Sequence, residues 1–121
     1  MKVLINIEEL ELTIDSSNIT TDHFKIIAEI LEKNYWLYDS FIILHGTDTM
    51  TYTGSILSFM IQNLQKNIIL TGAMIPLSEY DLDAFNDFLG SIVVASVFKV
   101  NLIIIRGYGG KWINYELVKQ F

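Results

Sequence analysis

The chain has 121 residues, room for one compact domain and too little for two ordinary ones. Eight basic and 14 acidic side chains leave a formal charge of −6. That balance excludes a general nucleic-acid binder, because no basic patch can neutralise several phosphates. Apolar side chains make up 51% of the chain and 19 residues are isoleucine, so apolar surface is ample to offset chain entropy and disorder is excluded. No cysteine is present, which removes disulfides, thiolate zinc sites and thiol nucleophiles together. Mean hydropathy is +0.39, high for a small soluble chain, yet no apolar run approaches the roughly 20 residues of a membrane span. The opening Met1–Glu9 turns acidic too early for a signal peptide. The composition points to a soluble, cytoplasmic α/β protein with no membrane partner.

Taken in chain order, Val3–Ile7 and Leu10–Ile14 read as strands, the second ending at Asp15-Ser16-Ser17. Thr20-Thr21-Asp22 reads as a helix start, with a hydroxyl cap and an acid in the first turn. Phe24, Ile27, Ala28, Leu31 and Tyr35 follow at helical spacing, so one face of residues 22–36 is expected to be buried. Phe41–Leu44 is apolar without alternation, the pattern of a strand covered on both faces. His45-Gly46-Thr47-Asp48 breaks it, and a second helix is expected from about Met50 to Gln65, with Leu57, Met60, Ile61 and Leu64 on one face. Ile68–Leu70 is the next strand and Thr71-Gly72-Ala73 the next turn, with Pro76 in the loop beyond. Phe85, Phe88, Leu89, Ile92 and Val93 mark a third helix, and Leu102–Ile105 a further buried strand.

Strand, loop and helix recurring in this way predict an α/β fold, a three-layer parallel sheet with flanking helices and right-handed crossovers. Ligands of such sheets sit outside the carboxyl ends of the strands. The segments expected there are Asp15-Ser16-Ser17, His45-Gly46-Thr47-Asp48 and Thr71-Gly72-Ala73, all small and polar between apolar elements. A site for a small polar ligand follows from that placement alone. Thr47 and Asp48 stand at a strand-to-helix turn, where backbone N–H groups and the helix dipole favour an anionic group; capping of the helix is the plainer role for them. His45 fits a structural hydrogen-bonder as well as a base, and His23 is expected at the surface. Neither histidine has metal-ligand spacing with a second histidine or a carboxylate, so no metal site is expected. Asp81 and Asp83 suit solvation or capping of the third helix. Gly107, Gly109 and Gly110 are a weak phosphate signal without a following helix.

Ile42-Ile43-Leu44-His45-Gly46-Thr47-Asp48-Thr49-Met50 resembles the second signature of the bacterial-type L-asparaginase/glutaminase family, with HGTDTM as its specific core. Asp15-Ser16-Ser17-Asn18-Ile19 resembles the substrate-binding segment of cytoplasmic (type I) members, and Thr71–Ser78 resembles the next conserved turn. The family hydrolyses L-asparagine to L-aspartate and ammonia through a threonine acyl-enzyme, with no metal or cofactor. The resemblance implies that Thr47 is the second catalytic threonine and that Asp48 binds the substrate's α-amino group and links Thr47 to a lysine. Ser16 would hold the substrate carboxylate, Ser17 would orient the ligand, and Asp15 belongs to the same binding segment. These donors and acceptors suit an amino acid such as asparagine or aspartate.

The departures from the family pattern shape the functional expectation. Met1–Leu10 contains no glycine and no threonine, so the family's Thr-Gly-Gly-Thr turn, whose first threonine is the nucleophile, and its mobile tyrosine loop have no counterpart here. The family lysine matches Lys119 or, as the alternative, Lys111, and the arginine that accompanies it is missing. The family's Asp-Gly-x-x-Asn corresponds to Asp83-Ala84-Phe85-Asn86-Asp87, which puts an acid where the asparagine stands. Residues 1–121 therefore read as a partial, incomplete asparaginase N-terminal domain, truncated at both ends and inactive by itself. The alternative is a non-catalytic remnant or split-gene fragment that binds a small amino acid or associates with a full-length homologue. The greasy composition then belongs to surfaces that a homo-oligomer or a missing companion segment would cover.

Overall fold

The computed structural model of the chain describes residues 3–7, 20–46, 49–72, 82–99, 101–108 and 111–116, with residues 82–85, 103–108 and 111–116 described through their backbone. The elements are α1 (Thr21–Asn34), β1 (Ser40–Leu44), α2 (Met50–Met60), β2 (Asn67–Thr71), α3 (Leu82–Val97), β3 (Leu102–Tyr108) and β4 (Lys111–Glu116). The strands lie in the order β1-β2-β3-β4. β1 and β2 pair in parallel from Ser40↔Asn67 to Leu44↔Thr71, and β2 pairs in parallel with β3 from Ile68↔Leu102 to Thr71↔Ile105. β4 returns antiparallel along β3, so the parallel sheet carries one antiparallel edge strand. A local hairpin needs no crossover helix, and Gly109 and Gly110 between its strands lie outside the described residues.

Alternation along the strands produces the three layers. Ile68, Leu70 and Leu102 join Ile27 and Leu31 of α1 and Met50 and Leu57 of α2 in one cluster, with Phe41 and Ile43 packed against it. On the opposite face Ile69 meets Ile42 and, from α3, Val94 and Ala95. All five residues of β2 are buried, as expected for a central strand covered by helices on both sides.

α1 begins at Thr20, which forms a capping box with His23 in the position usually held by Glu or Gln. The Thr20 N–H donates to His23 Nδ1 at 2.8 Å, so His23, partly exposed, caps the helix. Phe24, Ile27 and Leu31 form the buried stripe of α1. α2 ends at Met60, short of the expected Gln65: Ile61 is extended and Asn63 takes a left-handed φ of 55°. That reversal brings Leu64 into the core from a loop and leaves Met60 exposed, so Met60 is not part of the expected apolar face. The expected strand at Val3–Ile7 does not form. Leu4 is 82% exposed and Ile7 78% exposed, because apolar composition without a ladder partner and a face to bury does not make a strand. Leu10–Ile14 lies outside the described residues.

Polar side chains tie the layers at the amino ends of the strands. Ser40 Oγ donates to the Ala95 carbonyl at 3.0 Å, and Asn67 Nδ2 donates to the Phe98 carbonyl at 2.6 Å and the Ala95 carbonyl at 3.3 Å. These bonds satisfy carbonyls that the end of α3 leaves without helical partners. On the other side Lys66 Nζ donates to the carbonyls of Tyr35 and Tyr38 after α1 and lies over the rings of Tyr35 and Trp36. α3 is apolar on most of its circumference, and the face against the sheet is its small and polar one: Asp87 and Ser91 are buried while Leu89, Val93 and Val97 are exposed. Small residues let the helix lie close to the sheet. The Ile69→Ala variant is therefore expected to lose about 2–5 kcal/mol of stability in urea unfolding, while Val93→Ala changes it by less than about 0.5 kcal/mol. Equal losses would contradict this orientation of α3.

Candidate functional site at the carboxyl ends of β1 and β2

The parallel pairing of β1 and β2 extends one step beyond the sheet, where the His45 N–H donates to the Thr71 carbonyl at 2.8 Å. This bond draws the backbone after β1 onto the backbone after β2. A Cβ placed on Gly72 would lie 1.8 Å from the His45 carbonyl oxygen and 3.0 Å from Met50 Cε. Glycine at position 72 is thus a requirement of close backbone approach. Beside it, the Thr71 hydroxyl oxygen is buried and has no hydrogen-bond partner among the described residues, an uncommon state for a buried donor in a folded chain.

The His45 side chain is held at both ring nitrogens. Nδ1 lies 2.5 Å from the Gly46 carbonyl oxygen and Nε2 lies 2.8 Å from Thr53 Oγ1. A carbonyl only accepts, so Nδ1 carries the ring proton in the neutral imidazole and the Thr53 hydroxyl donates to Nε2. The Nε2 lone pair is already engaged, which makes His45 a structural hydrogen-bonder rather than a general base. Thr53 is fully buried and stands on the same stripe of α2 as Met50 and Leu57. A threonine on an otherwise apolar stripe is a readable signal, and attention to the polar turn alone misses it.

α2 starts directly after this turn, with Thr49 as its N-cap. Its first N–H groups face the carboxyl end of β1, as a parallel strand-to-helix connection requires, and the helix dipole adds partial positive charge there. Of the residues expected to form the site, Asp15, Ser16, Ser17, Thr47, Asp48 and Lys119 lie outside the described residues. By sequence, Thr47 and Asp48 link Gly46 to Thr49, both of which are placed. Lys111, the alternative lysine, opens β4 opposite Tyr108. Asp87, the acid in place of the family's asparagine, is buried on α3 with its carbonyl accepting from Ser91 Oγ at 2.7 Å. Among the described residues no three His, Asp or Glu side chains are grouped to hold a metal ion, and no helix is long and apolar enough to cross a membrane.

An open α/β sheet with parallel central strands and helices on both faces defines a domain of the three-layer α/β class. Comparison with known proteins narrows this. The family model for the asparaginase N-terminal domain matches residues 2–105, and the chain belongs to the asparaginase family. It is 43% identical over 99 residues to L-asparaginase 1 of Escherichia coli (strain K12), covering 82% of this chain and 29% of that protein. It is 35% identical over 99 residues to the 60 kDa lysophospholipase of Mus musculus, covering 82% of this chain and 18% of that protein. Among solved structures, L-asparaginase I from Vibrio cholerae superposes with a TM-score of 0.80 at 34% identity, over 92% of this chain and 38% of that one. The chain thus spans less than a third of the length of these curated relatives. Replacing Gly72 by Ala is expected to cost about 1–3 kcal/mol, because backbone on both sides must move apart. Unfolding within about 0.5 kcal/mol of the parent would contradict the close approach.

Proposed function

We propose that this chain supplies the amino-acid-binding part of an L-asparaginase-type site, and that residues 1–121 by themselves bind the ligand without turning it over. The supporting observation is the placement of the residues that flank Thr47 and Asp48 in the sequence: His45 and Gly46 follow β1 at its carboxyl end, and Met50 opens α2. In this reading Asp48 takes the substrate ammonium, and Ser16, with Ser17 and Asp15 beside it, takes the carboxylate. Charge-assisted hydrogen bonds of this kind set both affinity and orientation. The N-terminus of α2 favours the same carboxylate.

Complete turnover follows the chemistry of the family. A threonine hydroxyl attacks the side-chain amide carbon, ammonia leaves, and water hydrolyses the ester to aspartate. Thr47 with Lys119, or Lys111 in its place, serves the proton transfers, and an attacking hydroxyl needs such a partner. The attacking threonine of the Thr-Gly-Gly-Thr turn is not among these 121 residues. Removing a nucleophile costs several orders of magnitude in rate, because the members of a catalytic set act as a unit. Docking onto a companion segment or a second copy would supply that group.

Calorimetric titration with L-aspartate alongside an ammonia-release assay tests both halves. Binding is expected in the parent, with affinity at least about tenfold lower in Asp48→Asn, the scale of a lost charged hydrogen bond. Equal affinity in that variant would remove the assignment of Asp48. Ammonia release from L-asparagine at an ordinary enzyme rate of about 1 per second or more, abolished in Thr47→Ala, would contradict the expectation that the 121 residues do not turn over.

A further inference from the structure

We propose that Thr53 is a positioning residue of this site: its hydroxyl pins the His45 ring, and the ring then holds the Gly46 peptide that leads into Thr47 and Asp48. The proposal rests on the functional reading above for its ligand and on the described geometry for its mechanism. His45 makes three connections. Its N–H reaches the Thr71 carbonyl, its Nδ1–H reaches the Gly46 carbonyl, and its Nε2 accepts from Thr53 Oγ1. The ring is thereby a strut from the residue after β1 to α2.

The direction of the bonds matters. A neutral imidazole has one ring proton, the Gly46 carbonyl takes it at Nδ1, and Nε2 is left in need of a donor. Thr53 is that donor, fully buried with a relative exposure of 0% and anchored in α2, where its N–H donates to the Thr49 carbonyl at 3.0 Å. Loss of the hydroxyl at this fully buried position leaves Nε2 without the partner that pins the ring. The ring gains by turning away, and that releases the Gly46 carbonyl, whereas moving the proton in place would set a lone pair against it. The peptide before Thr47 then loses the contact that orients it, although Thr53 itself lies on the far side of the ring from Gly46.

Thr53→Val removes the hydroxyl at nearly constant volume, and Thr53→Ser keeps it. Nitrogen NMR of the His45 ring in the full chain is expected to show the Nδ1–H form in the parent and in Thr53→Ser, and its loss in Thr53→Val. Amide hydrogen exchange at Thr47 and Asp48 is expected to quicken about tenfold in Thr53→Val, the effect of one hydrogen bond, and L-aspartate affinity to fall by a similar factor. Thr53→Ser is expected to match the parent in all three. An Nε2–H ring in the unaltered chain overturns the proposal whether or not Thr53→Val folds. So does a Thr53→Ser chain that behaves unlike the parent, or a folded Thr53→Val chain with unchanged ring and exchange. Ring and exchange changes as expected, with no L-aspartate binding in any variant, would support the strut and overturn the functional reading instead.

Discussion

The described part of the carboxyl end of the sheet depends on how closely two strand ends approach one another. The His45 N–H to Thr71 carbonyl bond continues the β1–β2 ladder past the last sheet residue, and Gly72 lies against the His45 carbonyl where no Cβ fits. A parallel pair normally diverges at this point, as each strand turns into its own helix. Here the ladder runs one peptide further, and Met50 at the start of α2 lies beside the contact.

The rest of the fold supplies rigidity to the same end of the molecule. Ser40 and Asn67 anchor the amino ends of β1 and β2 to the last carbonyls of α3, so the register of the central strands is set at both ends. α1 and α2 cover one face with aliphatic side chains and α3 covers the other with small ones. The buried polar side chains stand at the two ends of β2, Asn67 and Thr71, and on the helices, Thr53, Asp87 and Ser91. The exposed Leu89, Val93 and Val97 on the outer side of α3 account for part of the high mean hydropathy. Composition first read as a rich core is partly a greasy exterior.

Hydrophobic pattern made the central α/β elements legible because each buried run in the sequence corresponds to a strand flanked by polar turns. The buried stripe of α1 and the unbroken apolar runs of β1 and β2 are of this kind. The pattern misled where burial depends on partners distant in sequence. Val3–Ile7 has strand composition but takes no strand, and Leu89, Val93 and Val97 of α3 face away from the sheet while Val94 and Ala95 pack against Ile69. β4 was missed because a hairpin strand is specified by its pairing with β3 more than by its own alternation. The HGTDTM segment located the candidate site, yet the partner that fixes its histidine sits eight residues on, at Thr53. That link is a property of the helix stripe and not of the motif.

The central claim is that the carboxyl ends of β1 and β2 together form an amino-acid site. A crystal structure of the chain grown with L-aspartate tests it most directly. The ligand is expected against the turn between Gly46 and Thr49, within reach of Asp48 and beside Gly72. L-Aspartate seated elsewhere on the sheet or on the outer face of α3 would contradict it, as would a saturated crystal in which this turn carries no ligand.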